Sequence, residues 1–173
     1  LTYFEALTAA FFNGCKKYKE NLVIAEFGLF GRGDAVNILK KNLCNIVTSC
    51  SEDHLDWLPK NDRNIERIIF EKTSSLLESN IVVAKQTSDV ITECIKKNIS
   101  NNNANKYYFN ENYNFVLKEN NFFYYEDNYG GLKIPRPNLN GQFQLENAST
   151  AIATLRILED LKVKDQHIIK GIQ

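Results

Sequence analysis

The run Ala25-Glu26-Phe27-Gly28-Leu29-Phe30-Gly31-Arg32-Gly33-Asp34-Ala35-Val36-Asn37 gathers residue types that could handle a magnesium–phosphate complex. It follows Asn21-Leu22-Val23-Ile24, and the apolar, β-prone pattern predicts a buried strand over 22–27 with Glu26 near its carboxyl end. In open α/β sheets, ligands bind in the crevice outside the carboxyl ends of the strands. A carboxylate held there suits magnesium, which is bound through one or two carboxylates plus substrate phosphates. Glycine has no Cβ, so its backbone can approach such a ligand closely. The glycines are spaced G-x-x-G-x-G, which matches neither the dinucleotide fingerprint nor the phosphate loop. The bland alternative for Glu26 is a structural salt bridge, because a buried carboxylate needs a partner.

Other candidates lie further along. His54 is one of only two histidines and falls just after the apolar run Asn45–Cys50; the other, His167, is expected on a surface helix. Magnesium prefers oxygen to imidazole, so chemistry alone favours a structural or solvated His54. Lys72 follows Glu71 on a helical pattern, where most lysines are solvated. Asn147 carries an amide that can both donate and accept hydrogen bonds, or simply begin a helix.

The elements that must position these groups are legible in the spacing. Apolar residues Phe4, Leu7, Ala10, Phe11 and Cys15 form a helical stripe over 3–18. Asn45–Cys50 and Ile81–Ala84 read as further strands, with a helix over Asn64–Leu77 between them. Thr87-Ser88-Asp89 can cap a helix running to about Asn98. Strands alternating with helices predict parallel βαβ units. After Ile99 the character changes. Short aromatic runs at Lys106–Phe109, Tyr113–Leu117 and Phe122–Tyr125, closed by Gly130-Gly131, predict antiparallel hairpins on the flank of the sheet. Helical spacing returns from Leu145 to Leu161, and Lys164-Asp165 starts a last helix. The predicted class is α/β: a mostly parallel sheet flanked by helices, with a small antiparallel β flank.

Composition narrows the function classes. The chain has 173 residues, and Lys+Arg equals Asp+Glu at 21 each, so no global field steers nucleic acid or an anionic membrane. No apolar run approaches the roughly 20 residues that span a bilayer, and the first residues lack signal-peptide order. The four cysteines show no C-x-x-C or zinc spacing, which fits reduced thiols in the cytoplasm. The chain contains no Met and runs from Leu1, inside a helical pattern, to Gly171-Ile172-Gln173; this reads as an internal piece of a longer protein.

Four motifs, in order, resemble the dihydrofolate synthase/folylpolyglutamate synthase branch of the Mur ligase superfamily. Ala25–Asn37 is similar to that family's Glu-x-Gly-Leu-Gly-Gly-Arg-x-Asp-Ala-Thr-Asn, with Phe30 for Gly, Gly33 for a bulkier residue and Val36 for Thr. Thr48–Leu58 resembles Thr-x-x-x-x-Asp-His-x-x-x-Leu. Phe70-Glu71-Lys72 resembles the Glu-Lys pair, followed here by Thr73-Ser74-Ser75 instead of Ala-Gly-Ile. Gly141–Ala148 resembles Gly-x-His-Gln-x-x-Asn-Ala, with Phe143 in place of His. Thr2-Tyr3-Phe4-Glu5 adds the family's Thr-x-Phe-Glu.

The resemblance implies the P-loop-type fold of a Mur ligase central ATPase domain over 1–173. The family's upstream G-x-x-G-K-[ST] loop and its carboxy-terminal domain would lie outside this chain. It implies an ATP-dependent ligase joining L-glutamate to dihydropteroate, to folates, or to both, through an acyl phosphate. Two Mg²⁺ ions would act, with Glu26, His54 and a carbamylated Lys72 holding the second; Glu26 and Lys72 carry the catalytic assignment. Gln144 and Asn147 would bind ATP, Asn147 at the adenine. Phe4, Asp34 and Ala35 would line the pterin site, although Phe4 could equally be core. The implied partners are small molecules only, with no nucleic acid and no membrane, in a cytoplasmic monomer. Two alternatives stay open: another Mur-type ligase acting on a peptidoglycan precursor, and a non-catalytic nucleotide-binding or interaction domain.

Overall fold

A capping box opens the chain: the Thr2 hydroxyl accepts from the Glu5 N–H, and the Glu5 carboxylate accepts from the Thr2 N–H. These bonds satisfy amide donors that have no partner inside a helix. They start α1 (Tyr3–Cys15) in a computed structural model that describes residues 1–119 and 121–173.

Three short strands, β1 (Cys44–Val47), β2 (Asn80–Val83) and β3 (Lys106–Tyr108), form a parallel sheet in the order β1-β2-β3. The connections carry α2 (Ile65–Thr73), capped by the Asn64 side chain, and α3 (Asp89–Asn98), capped by Ser88. Side chains alternate across β2, as the period of a strand requires. Ile81 and Val83 join Val47, Ile69, Ile95 and Ile99 under α2 and α3, while Val82 faces the opposite way.

That opposite face is covered by the second half of the chain. Strands β4 (Tyr113–Glu119), β5 (Phe122–Asp127) and β6 (Gly130–Pro135) form an antiparallel meander. Its inner side chains Tyr113, Phe123, Tyr125 and Ile134 are buried with Leu145 and Ile152 of α4 (Phe143–Ile157) and Ile168 of α5 (Asp165–Ile172). Burying each large apolar side chain contributes about 1.5–3 kcal/mol, so this joint is the main core. The Tyr113 hydroxyl donates to the Val83 carbonyl at 2.9 Å, fastening the two sheets together.

The α/β architecture agrees with the sequence reading, with three local corrections. Residues 22–27 form no strand: Leu22, Val23 and Ile24 are exposed, Ile24 at 88%, and Glu26 is exposed with them rather than buried. A β-prone run becomes a strand only where a neighbour supplies ladder hydrogen bonds, and no strand of the β1-β2-β3 sheet pairs with this one. Lys106–Phe109 was expected among the hairpins but supplies β3, parallel to β2. The α3 crossover returns the chain in the parallel sense, whereas only the tightly connected β4, β5 and β6 can alternate direction. Gly130-Gly131 begins β6 instead of closing the set.

The stripe on α1 is also not a core stripe. Phe4, Leu7 and Phe11 are each about half exposed, and Thr8 is that helix's buried residue. Among the described residues, the four cysteines are free, and no helix is long and apolar enough to cross a membrane.

Candidate active site

The glycine-rich loop is organised by Asp34. One carboxylate oxygen accepts from the Gly28 and Leu29 amides at 2.9 and 3.2 Å, and the other accepts from Val36 at 2.8 Å. Three backbone donors on one carboxylate hold the loop as a compact turn. Gly33, with φ +78°, supplies the left-handed residue inside it. The Phe4 ring lies over this turn, 3.2 Å from where a Cβ on Gly28 would stand. Phe4 and Asp34 thus meet across Gly28, and Ala35 is half-buried beside them.

The loop docks on the carboxyl end of α2. The last carbonyls of a helix lack intrahelical partners, and that of Glu71 accepts the amides of Gly31 at 3.1 Å and Arg32 at 3.0 Å. A Cβ on Gly31 would fall 3.0 Å from the Lys72 carbonyl oxygen. The Asn37 side chain donates to the Gly31 carbonyl and to the Ser75 hydroxyl, both at 2.8 Å. Arg32 forks onto the Glu71 carboxylate, Nε to Oε2 at 2.8 Å and Nη2 to Oε1 at 2.9 Å. Arg67 adds a bond to Oε1 at 2.6 Å. Hydrogen bonding from Arg32 holds the Glu71 carboxyl below the usual glutamate range, with its burial working the other way.

Lys72 is half-buried beside this joint and has no hydrogen bond or ion pair among the described residues. Burial pushes the neighbouring Cys50 thiol up, and the Lys72 charge acts against that rise. The Lys72 ammonium therefore lies within electrostatic reach of the carboxyl end of β1. His54 follows β1 on the same side. It has left-handed φ at +59°, its ring meets the buried Phe30 ring edge-on at 6.2 Å, and its Nε2 lies 3.3 Å from the Asp53 carboxylate. Phe30 and Gly31, adjacent in the loop, thus face the His54 ring and the Lys72 carbonyl respectively.

Glu26 stands apart. It lines an open groove of about 270 Å³ with Leu7, Phe11, Ile24 and Val36, and shares no hydrogen bond or ion pair with His54 or Lys72. Among the described residues no three His, Cys, Asp or Glu side chains cluster around a metal position. A set built on Glu26 and His54 therefore depends on Lys72 becoming an oxygen ligand.

Asn147 and Gln144 share the first turn of α4, with the Asn147 amide donating to Gln144 Oε1 at 3.2 Å. The Glu146–Lys85 ion pair, 2.8 Å, ties this turn to the segment leaving β2. Both amides consequently stand at the carboxyl end of the sheet.

Sequence reasoning missed three organising residues. Arg32 and Glu71 stand inside the quoted motifs, but their pairing is unreadable because a loop–helix pair distant in sequence has no periodic signal; only the i,i+4 spacing of Arg67 and Glu71 is legible. Gln86 is the third. Its amide accepts from the Cys50 N–H at 2.9 Å and donates to the Ala84 carbonyl at 2.8 Å, joining the ends of β1 and β2.

No family model matches the chain. The dihydrofolate synthase/folylpolyglutamate synthase of Haemophilus influenzae is 41% identical over 83 residues, 48% of this chain and 18% of that protein. The protein of that name from Escherichia coli is 42% identical over 67 residues, 39% of this chain and 16% of its own length. The solved structure of Escherichia coli FolC in complex with ADP, without folate substrate, matches 99% of this chain at 31% identity with TM-score 0.84. Over this stretch the chain is similar in sequence and in fold to dihydrofolate synthase/folylpolyglutamate synthases. Its fold is accordingly that of a Mur ligase. The apo form of L. casei FPGS, at 20% identity and TM-score 0.84, shares the fold. The chain spans 39% of the length of the FolC structure and 43% of the L. casei one.

Proposed function

We propose that this chain is the central ATP-handling part of a ligase that joins L-glutamate to dihydropteroate, to folates, or to both. A carboxylate resists attack by an amine because its leaving group would be oxide. In the proposed reaction a carboxylate oxygen of the pteroate or folate attacks the γ-phosphorus of ATP and ADP departs. The glutamate amine then attacks the acyl carbon, phosphate leaves, and the nitrogen gives up a proton. The observation that carries the reading is the docking of the Gly28–Asn37 loop onto the end of the helix bearing Lys72. It groups motifs that the family places around nucleotide and acyl acceptor.

The donor chemistry fits magnesium if Lys72 is carbamylated. A neutral Lys72 amine adds carbon dioxide and loses a proton, becoming a carboxylate-like oxygen donor. No described residue forms an ion pair with Lys72, so no carboxylate opposes loss of its proton. His54 would join Lys72, and Glu26, which stands apart in this structure, would have to swing toward them to complete the set; magnesium bound there would neutralise charge developing on the transferred phosphoryl group. Gln144 and Asn147 would bind the adenine. Phe4, over Gly28 and opposite Asp34 and Ala35, would stack on the pterin. Holding acceptor and nucleotide together is itself worth about 7–11 kcal/mol. We place the activity in the cytoplasm of a monomeric enzyme.

The test is a chimera in which this chain replaces its matching segment of Escherichia coli FolC. Glutamate-dependent ADP release is expected, and Lys72→Ala should abolish it. A folded chimera that binds ADP but never turns over, or one indifferent to Lys72→Ala, would refute the proposal.

A further inference from the structure

We propose that Arg32 and Glu71 are positioning residues: a latch that clamps the glycine-rich loop to the end of α2 and thereby fixes Lys72 against it. The inference builds on the role given to Lys72 above, but the latch itself rests on geometry alone.

Glu71 is unsuited to metal binding although it neighbours Lys72 on the helix. Its side chain is only 7% exposed, and both of its oxygens are engaged by guanidinium groups of Arg32 and Arg67. A buried carboxylate saturated by two cations is bound in place rather than free to take a metal ion. The same residue acts through its backbone, since its carbonyl accepts the Gly31 and Arg32 amides. Glu71 therefore grips the loop twice, by charge at the Arg32 side chain and by hydrogen bonds at the adjoining main chain.

The grip has a consequence for Lys72, the next residue. Gly31 is drawn against the Lys72 carbonyl, and Phe30 beside it meets His54. The Lys72 main chain and the His54 ring are thus packed against successive loop residues, whose position the Arg32 fork controls. The planar guanidinium matters here because it bonds both carboxylate oxygens at once, which an ammonium cannot do. The Phe70 ring, with the carbons of both guanidinium groups 5.3–5.6 Å from its centroid, braces the pair from one side.

The experiment compares the chain with its Arg32→Gln, Arg32→Lys and Glu71→Gln variants. Arg32 is more than half exposed, so its variants should fold even if Glu71→Gln does not. Amide exchange at Gly31 and Arg32 should quicken by about tenfold in Arg32→Gln, the scale of a lost charge-assisted hydrogen bond. Arg32→Lys should fall between. Limited acetylation should label Lys72 several-fold faster in Arg32→Gln, with exposed Lys97 on α3 as the unchanged internal control. A purely structural ion pair would lower the melting temperature without this selective change at Lys72. Unchanged exchange at Gly31 and Arg32, or unchanged Lys72 labelling, would overturn the latch. A parallel carbon-13 measurement in labelled bicarbonate keeps the two readings apart. No carbamate signal in the wild-type chain would count against the Lys72 carbamate, while the exchange and labelling results still decide the latch.

Discussion

Gly31 stands so close to the Lys72 carbonyl that an added Cβ would lie 3.0 Å from that oxygen, with the Phe27 ring equally near. The glycine-rich loop and the lysine-bearing helix are one packed unit. A methyl group at position 31 must push either backbone or ring. Overpacking of this kind typically costs about 1–3 kcal/mol, so Gly31→Ala should lower the midpoint of denaturant unfolding by a corresponding amount. Gly14→Ala, where a Cβ meets nothing within 4 Å, is the control. It lies in α1 and should be neutral or stabilising by up to about 1 kcal/mol.

Asp34 tests whether the loop is held from within. Its carboxylate accepts three backbone amides, and hydrogen bonds to a charged group contribute about 1.5–3 kcal/mol. Asp34→Ala should destabilise the chain within or above that range. Asp34→Asn, which keeps one carbonyl acceptor, should fall between. Proton-exchange rates at Gly28, Leu29 and Val36 provide the local measure, and all three should rise together. If they do not, Asp34 is free for ligand contact and the loop is held by other means.

The Arg32–Glu71 pair makes a pH prediction whose sign is fixed. Glu71 titrates below its ordinary value in the folded chain, chiefly through the Arg32 hydrogen bond. A depressed carboxyl contributes stability above its unfolded value, about 4.3, and loses it as pH falls through the lower folded value. Unfolding free energy measured from pH 6 downward should therefore drop below about pH 4.3. Glu71→Gln should remove that part of the acid dependence while lowering stability at neutral pH. An identical acid profile in the variant would contradict the assignment.

Glu26 makes a sharper functional prediction than a buried carboxylate would. It is exposed and has no ion-pair partner among the described residues, so Glu26→Gln should leave the melting temperature unchanged. In the FolC chimera it should cut glutamate-dependent ADP release by about 10²–10³, the usual loss for one preorganised electrostatic contact. A destabilised chimera with near-normal turnover would make Glu26 scaffolding. Unchanged stability and unchanged turnover would remove it from the site altogether.

Local chemistry carried much of this in the sequence alone. Ser88 announces its helix because a side-chain oxygen is what an unpartnered helical amide needs, and the Thr2 and Asn64 caps seen in the structure follow the same rule. The aromatic alternation of 113–125 declares hairpins because side chains of a strand alternate between faces. The ordered motifs around Glu26, His54, Lys72 and Asn147 pointed to the family that the comparisons support.

What the tertiary structure decided is everything that depends on a distant neighbour. The apolar run 22–27 and the run 106–109 look equally strand-like, yet only the second meets a strand able to complete its hydrogen bonds. Glu26 is exposed for the same reason. The helical spacing that puts Leu7 and Phe11 on one stripe is local, whereas burial requires something packed against it. Arg32 and Glu71 show the limit most clearly. Neither residue signals a partner, because their contact exists only after α2 and the loop have been brought together by the fold around them. Periodicity and caps are properties of a segment; pairing and salt-bridge geometry are properties of two segments at once.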